Sequence, residues 1–224
     1  MAKSNDGLIA IVKRDCPTCE LVVPVLERLQ ETGTLLTVYS QDDPSFPESV
    51  KGVIDDRTLE QSFYHDIEFV PTLIRQDGGK ESERVFGWNR ADWEKFTGIQ
   101  GLGEGLPDNQ PGCGSKSVEP GVPEQLQARY GKVPMKSRKI EFSEWDDPVE
   151  QAFDRGWTDG LPIVPPTDDR ILRMLSGTDR SPEEVLGLMP PDYMECTVEK
   201  IAINAVMAGA RPEYMPVILA TVEA

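Results

Sequence analysis

A single histidine, His65, and four cysteines leave this 224-residue chain short of zinc ligands. Structural zinc takes four, and no second close pair exists to complete a set. The acidic pairs Asp42-Asp43, Asp55-Asp56 and Asp168-Asp169 lack ligand spacing and read as solvated caps and turns, while Asp146-Asp147 reads as a helix cap. Basic residues are also scarce, 23 Lys and Arg against 39 Asp and Glu, for a net charge of −16. Phosphate backbones and anionic lipid surfaces are held by clustered Lys and Arg, so no nucleic-acid and no membrane partner is expected. No apolar run approaches the roughly 20 residues that span a bilayer. Residues 8–12 are too short for a signal-peptide core, which takes about 7–15 apolar residues. Missing too are a Gly-rich nucleotide fingerprint after a strand, G-x-S-x-G and HExxH. With so few cysteines, two of them closely paired, a reducing and cytoplasmic setting is predicted. The chain is long enough for two small domains, each with its own core.

Against this background stands Cys16-Pro17-Thr18-Cys19. The four residues follow the apolar run 8–12 and open an amphipathic stretch over 20–30, placing a dithiol where a strand hands over to a helix. Exposed sulfurs and the N–H groups of a helix start favour thiolate there. A second thiol two residues on can attack a mixed disulfide from within the chain. C-x-x-C at such a junction therefore reads first as redox. The competing reading makes the pair metal ligands joined by Cys113 or Cys196; on the redox reading no metal or other cofactor is expected.

The surrounding spacings carry a family resemblance. Pro24 lies five residues after Cys19, Val70-Pro71-Thr72 precedes the apolar Leu73-Ile74, and Gly87 falls sixteen residues beyond Pro71. In that order they resemble the helix proline, cis-proline loop and glycine of thioredoxin-fold domains, over residues 7 to about 99. The resemblance implies an α/β domain of strand (8–12), helix (19–30), strand (35–40), helix (58–65), a strand pair (73–75 and 83–86) turning at Gly78-Gly79, and a closing helix (91–97). It implies that Cys16 attacks and Cys19 resolves, with Val70, Pro71 and Thr72 shaping a groove in which the Val70 backbone pairs with an extended partner strand. Two departures stand out. Asp15 replaces the family's tryptophan before the pair and opposes thiolate formation, whereas Lys13 and Arg14 favour it if they turn that way. Ala10 replaces a buried aspartate, removing a carboxylate that would assist proton transfer.

Residues 100–124 hold ten Gly and Pro and few apolar residues. They read as a linker between domains 1–99 and 125–224, extended or wrapped over a surface. Cys113, between two of those glycines, is either an accessory thiol on a mobile segment or an incidental exposed cysteine; flexibility alone favours the second. From about 125 the signals are mainly helical. Asp147-Pro148 starts a helix, Ser181-Pro182-Glu183-Glu184 forms a capping box, Thr197 caps a helix rich in small residues, and Pro212 starts another. The rigid, apolar 157–166 segment reads as an ordered loop. Arg155 and Asp159 beside it are candidates for a second-domain site, although turns need Asp and Gly in any case. Cys196 reads as a small buried hydrophobe, and His65 as a helix-end residue.

Residues 157–172 and 197–222 are similar to the opening half of the UGSC-type (seleno)protein family, whose members continue beyond the point matching Ala224. That resemblance supplies no reaction. Cys113-Gly114-Ser115 resembles the first three positions of the family's selenocysteine–glycine–serine–cysteine motif, but Lys116 stands where its cysteine would be. The apolar terminal helix predicts either a second subunit or a continuation past Ala224, making the helical domain part of a larger unit. The leading expectation is an intracellular redox module passing electrons from a protein thiol or disulfide partner to its own second domain or a larger enzyme. The alternative is a non-redox subunit whose first domain is a docking platform and whose C-terminal helices bind a catalytic chain.

Overall fold

The computed structural model describes residues 7–133 and 135–224; the first six residues of the expected first domain lie outside it. Gly7–Val12 (β1) is an almost unbroken aliphatic run, buried from Leu8 onward, as a strand covered on both faces requires. It is followed by α1 (Pro17–Leu21), α2 (Val23–Glu31), β2 (Leu36–Ser40), β3 (Val53–Asp55), α3 (Glu60–Tyr64), β4 (Phe69–Val70), β5 (Thr72–Asp77), β6 (Lys80–Phe86), β7 (Trp88–Asn89) and α4 (Arg90–Thr97). β1 is central in a mixed five-stranded sheet of order β3-β2-β1-β5-β6, parallel to β2 and antiparallel to β5. The expected helix at 19–30 is interrupted at Val22. Pro24 falls in the first turn of α2, where its missing N–H costs nothing. The β5–β6 hairpin turns at Gly78-Gly79, both in the left-handed region that glycine supplies.

The chain forms two compact units dividing at Leu126 and Gln127. The segment expected as a linker lies within the first of them. Two short strands, β8 (Asn109–Gln110) and β9 (Cys113–Gly114), pair with β7 and β4. Leu102 is fully buried in the core beside the Trp88–Trp93 pair. Backbone polar groups hold the rest. Trp88 Nε1 donates to Pro107 O at 2.6 Å, and the Arg90 guanidinium donates to the carbonyls of Leu102, Gly103 and Leu106. Carbonyls satisfied this way need no apolar periodicity in the segment that carries them. A helix, α5 (Val122–Tyr130), crosses the division.

In the second unit α6 (Pro148–Asp154) starts at the Asp147 cap, and α7 (Asp168–Leu175) begins with Asp168 and Asp169 in its first turn. The capping box at Ser181 does not open a helix. Residues 181–184 form a turn, and the aliphatic run beyond it is β10 (Val185–Met189), paired with β11 (Met194–Thr197). The unit is therefore helical with one hairpin. Thr197 caps α8 (Val198–Met207), and α9 (Met215–Glu223) follows a single 3-10 turn. Ala202 and Ala205 are buried between helices, whereas Ala208 ends α8 exposed. Cys196 packs, half-buried, against this second core. Among the described residues no helix is long and apolar enough to cross a membrane.

Candidate functional site

Cys16 is the N-cap of α1. Its extended backbone (φ −156°, ψ 110°) turns the side chain back over the helix start, and Pro17 occupies the first helical position. The Cys19 N–H donates to the Cys16 sulfur at 3.4 Å, while the Lys13 N–H points at the Cys19 sulfur at 3.5 Å. The loop before the pair is held from below. The Asp42 carboxylate accepts from the Arg14 and Asp15 N–H groups at 2.8 and 3.0 Å, a positioning role that a solvated turn residue would not have. Arg14 turns away from the thiols, pairing with Asp43 and Glu48 over the Phe46 ring. Its charge is thus spent on carboxylates.

All four cysteines are free thiols, and three of them belong to this site. Cys19 lies behind the Cys16 sulfur, to which its N–H donates, and Cys113 stands directly opposite Val70, whose carbonyl lies 3.6 Å from that sulfur. The Cys19 thiol is the largest cause lowering the Cys16 pKa, to about 5, against the opposing effect of burial; the Cys113 thiol and the Cys19 and Thr18 N–H groups add to the lowering. Burial, then the neighbouring Cys16, pushes Cys19 far up. Cys113 is raised for the same two reasons. The cluster thus holds one stabilised thiolate between two protonated thiols. Cys16 is nevertheless 1% exposed and Cys19 0%, while Cys113 is half-buried.

The Val70–Pro71 peptide is cis, and Val70 O lies 3.6 Å from the Cys16 sulfur. Thr72 is buried, its hydroxyl donating to Phe69 O at 2.6 Å. Val70 thus lies at the dithiol through its carbonyl, Pro71 follows it across the cis bond, and Thr72 braces the turn through Phe69 O. The strand paired with Val70 is the chain's own β9, with Cys113 directly opposite. Cys113 is thus half-buried on a paired strand, where the sequence suggested an exposed residue on a mobile segment. Ala10 is buried, so β1 offers a methyl group, not a carboxylate, at that position.

Sequence reasoning missed what fixes the segment bearing Cys113. Thr18 Oγ1 donates to Pro111 O at 2.6 Å, and Ser115 N donates to Glu68 O at 2.8 Å. A buried polar chain runs beneath: Gln41 Nε2 donates to Ser62 Oγ and Ser115 Oγ, each at 2.7 Å, and the Ser62 hydroxyl donates to Asp56 at 2.6 Å. Burial of that many polar groups is tolerated because each finds a partner. Gly87 and Gly112 face each other across the approach. A Cβ on Gly112 would come within 2.9 Å of Val70 O, and one on Gly87 within 2.8 Å of Gly112 N. Two glycines sixteen and forty-one residues past Pro71 were the available signal, and it appears only once the chain is folded.

In the second unit Arg155 and Asp159 are both exposed. The Arg155 guanidinium lies over the Phe142 and Trp157 rings, and Asp159 caps the Leu161 N–H weakly, at 3.5 Å, in a turn closed by Thr158. A cleft of about 240 Å³ elsewhere in this unit is lined by Arg170, Arg173, Arg211 and apolar residues, and by neither of the two candidates. Among the described residues no group of three or more His, Cys, Asp or Glu is placed to hold a metal ion. Compared with known proteins, the chain matches no family model and no curated sequence at a significant level.

Proposed function

We propose that this chain is a thiol–disulfide redox module whose first unit is of thioredoxin-like construction. The observation that carries the reading is the asymmetry of the pair: Cys16 is a stabilised thiolate at a helix cap, and Cys19 is a buried, protonated thiol behind it. Nucleophilic attack needs the first and resolution needs the second. The Cys16 thiolate attacks one sulfur of a disulfide, breaking that S–S bond and releasing one thiolate. Cys19 then loses its proton and attacks the Cys16 sulfur, releasing the second thiol and leaving a Cys16–Cys19 disulfide. The substrate gains two electrons from the pair, with one proton from Cys19 and one from solvent, and an external dithiol restores the pair. The central β1 and the cis-proline loop facing Cys16 support the thioredoxin-like construction. The recipient of the electrons is the second unit or an assembly that contains it.

A second reading has its own observation. The β10–β11 hairpin exposes Leu188, Met189, Tyr193 and Met194, and α9 exposes Val217, as a surface that binds another chain would. One experiment separates the two. Insulin disulfide reduction driven by a dithiol should be catalysed by the full chain and abolished by Cys16→Ser. Undiminished catalysis in Cys16→Ser would overturn the redox assignment and leave the subunit reading.

A further inference from the structure

The chain fills, with its own backbone, the place where the proposed function puts an extended protein partner. β4 pairs with β9 in antiparallel register, Phe69 opposite Gly114 and Val70 opposite Cys113. The facing glycines Gly87 and Gly112 let the two backbones close up, and the Gln41–Ser115 contact anchors the strand just beyond Cys113. Cys113 is thereby held directly opposite Val70, whose carbonyl lies 3.6 Å from the Cys16 sulfur. Of the three thiols in the cluster, the two inner ones are closed off from solvent and Cys113 is the one partly open to it.

We propose that Cys113 is the third reacting thiol of this site, forming an internal disulfide with Cys16 and carrying exchange between the buried pair and disulfides or thiols outside. The proposal rests on the redox reading of Cys16 and Cys19. A disulfide arriving from solution is attacked by Cys113, which first gives up its proton; the S–S bond breaks, one thiolate leaves and takes up a proton, and Cys113 holds the other half. Cys16 then attacks the Cys113 sulfur, expelling that half as a second thiolate and forming Cys16–Cys113. Cys19 next gives up its proton and attacks Cys16, forming Cys16–Cys19 and returning Cys113 as a thiol. Two electrons pass from the pair to the incoming disulfide, which leaves as two thiols. Run in reverse, with an external thiol attacking, the same route reduces the pair. Cys113 stands directly opposite Val70, whose carbonyl lies 3.6 Å from the Cys16 sulfur, so the two thiols share one corner of the site and a bond of about 2.05 Å requires them to close up there.

The test uses the full chain, reduced and then oxidised with excess glutathione disulfide, and maps linkages by non-reducing peptide mass spectrometry. Wild type should end as Cys16–Cys19. Cys19→Ser should end as Cys16–Cys113, formed at a rate independent of protein concentration. In Cys113→Ser, oxidation of the remaining pair should slow by about tenfold or more, because an intramolecular partner at the covered sulfur is lost. Cys19→Ser ending with glutathione on Cys16 and Cys113 free, or Cys113→Ser oxidising as fast as wild type, overturns the proposal while leaving the pair redox-active. Wild type without any Cys16–Cys19 bond overturns the redox reading, and this proposal with it.

Discussion

The residue that most directly tests whether the 109–118 segment gates the dithiol is Gly112. Its φ is not in the left-handed region, so alanine is conformationally acceptable there and only space is at stake. The added Cβ would stand 2.9 Å from Val70 O and 3.3 Å from Gly87 Cα, both backbone atoms that no side-chain rotation can move. Overpacking of this kind costs about 1–3 kcal/mol. The segment relieves it by lifting off β4, so the fraction of molecules with Cys16 uncovered should rise about 5- to 150-fold, at a factor of ten per roughly 1.4 kcal/mol. Cys16 is 1% exposed, so its alkylation proceeds through the uncovered state and its rate should rise in proportion. The assay is iodoacetamide modification of the reduced protein at neutral pH, followed residue by residue. Gly114→Ala is the matched control, since a Cβ there meets nothing within 4 Å. Equal Cys16 rates in the two variants would falsify the gating argument.

Three further outcomes are expected. Alkylation of Cys16 in the reduced protein should persist down to an apparent midpoint near pH 5 and fall away below it, because the reactive form is the thiolate and its pKa is lowered to about 5; at pH 7 this makes about 99% of Cys16 thiolate, against about 3% for a free cysteine. Since the Cys19 thiol is the largest cause of that lowering, Cys19→Ala should move the midpoint upward, and an unmoved midpoint would assign the effect elsewhere. In the second unit, Gly177→Ala should lower the thermal transition, because its Cβ would stand 2.1 Å from Pro212 O and about 1–3 kcal/mol of strain follows; an unchanged transition would mean that the turn after α7 is not packed as described.

Much of the site was legible because its signals are local. An aliphatic run marks β1, Cys-Pro marks a helix cap with proline at the first position, and Val-Pro-Thr marks a turn ahead of β5. The 100–124 segment was illegible for a physical reason. It is held through its carbonyls, by Arg90, Trp88 and Thr18, and a carbonyl leaves no mark on the residue that carries it. Its glycines read as flexibility when at Gly112 the missing side chain serves close approach. The capping box at Ser181 misled because the same four residues satisfy themselves in a turn. Glu184 N donates to Ser181 O at 3.0 Å, and the Glu184 carboxylate pairs with Arg180 instead of reaching back to the cap. The aliphatic residues beyond then find a strand partner in β11, which no local pattern announces.

The pairing of β9 with β4 also sets a threshold for anything that would compete with it. A strand tethered within the same chain competes at an effective concentration that no dilution lowers, in the millimolar range even for a flexible tether. A free peptide docking along the Val70 edge by strand addition must match the backbone bonds that β9 already makes there, then exceed them through side-chain contacts of its own. Generic extended segments gain nothing by that exchange. Selectivity at this edge is therefore a property of the resident strand as much as of the groove, and weakening β9 would broaden the range of sequences the edge accepts without altering a single residue that touches them.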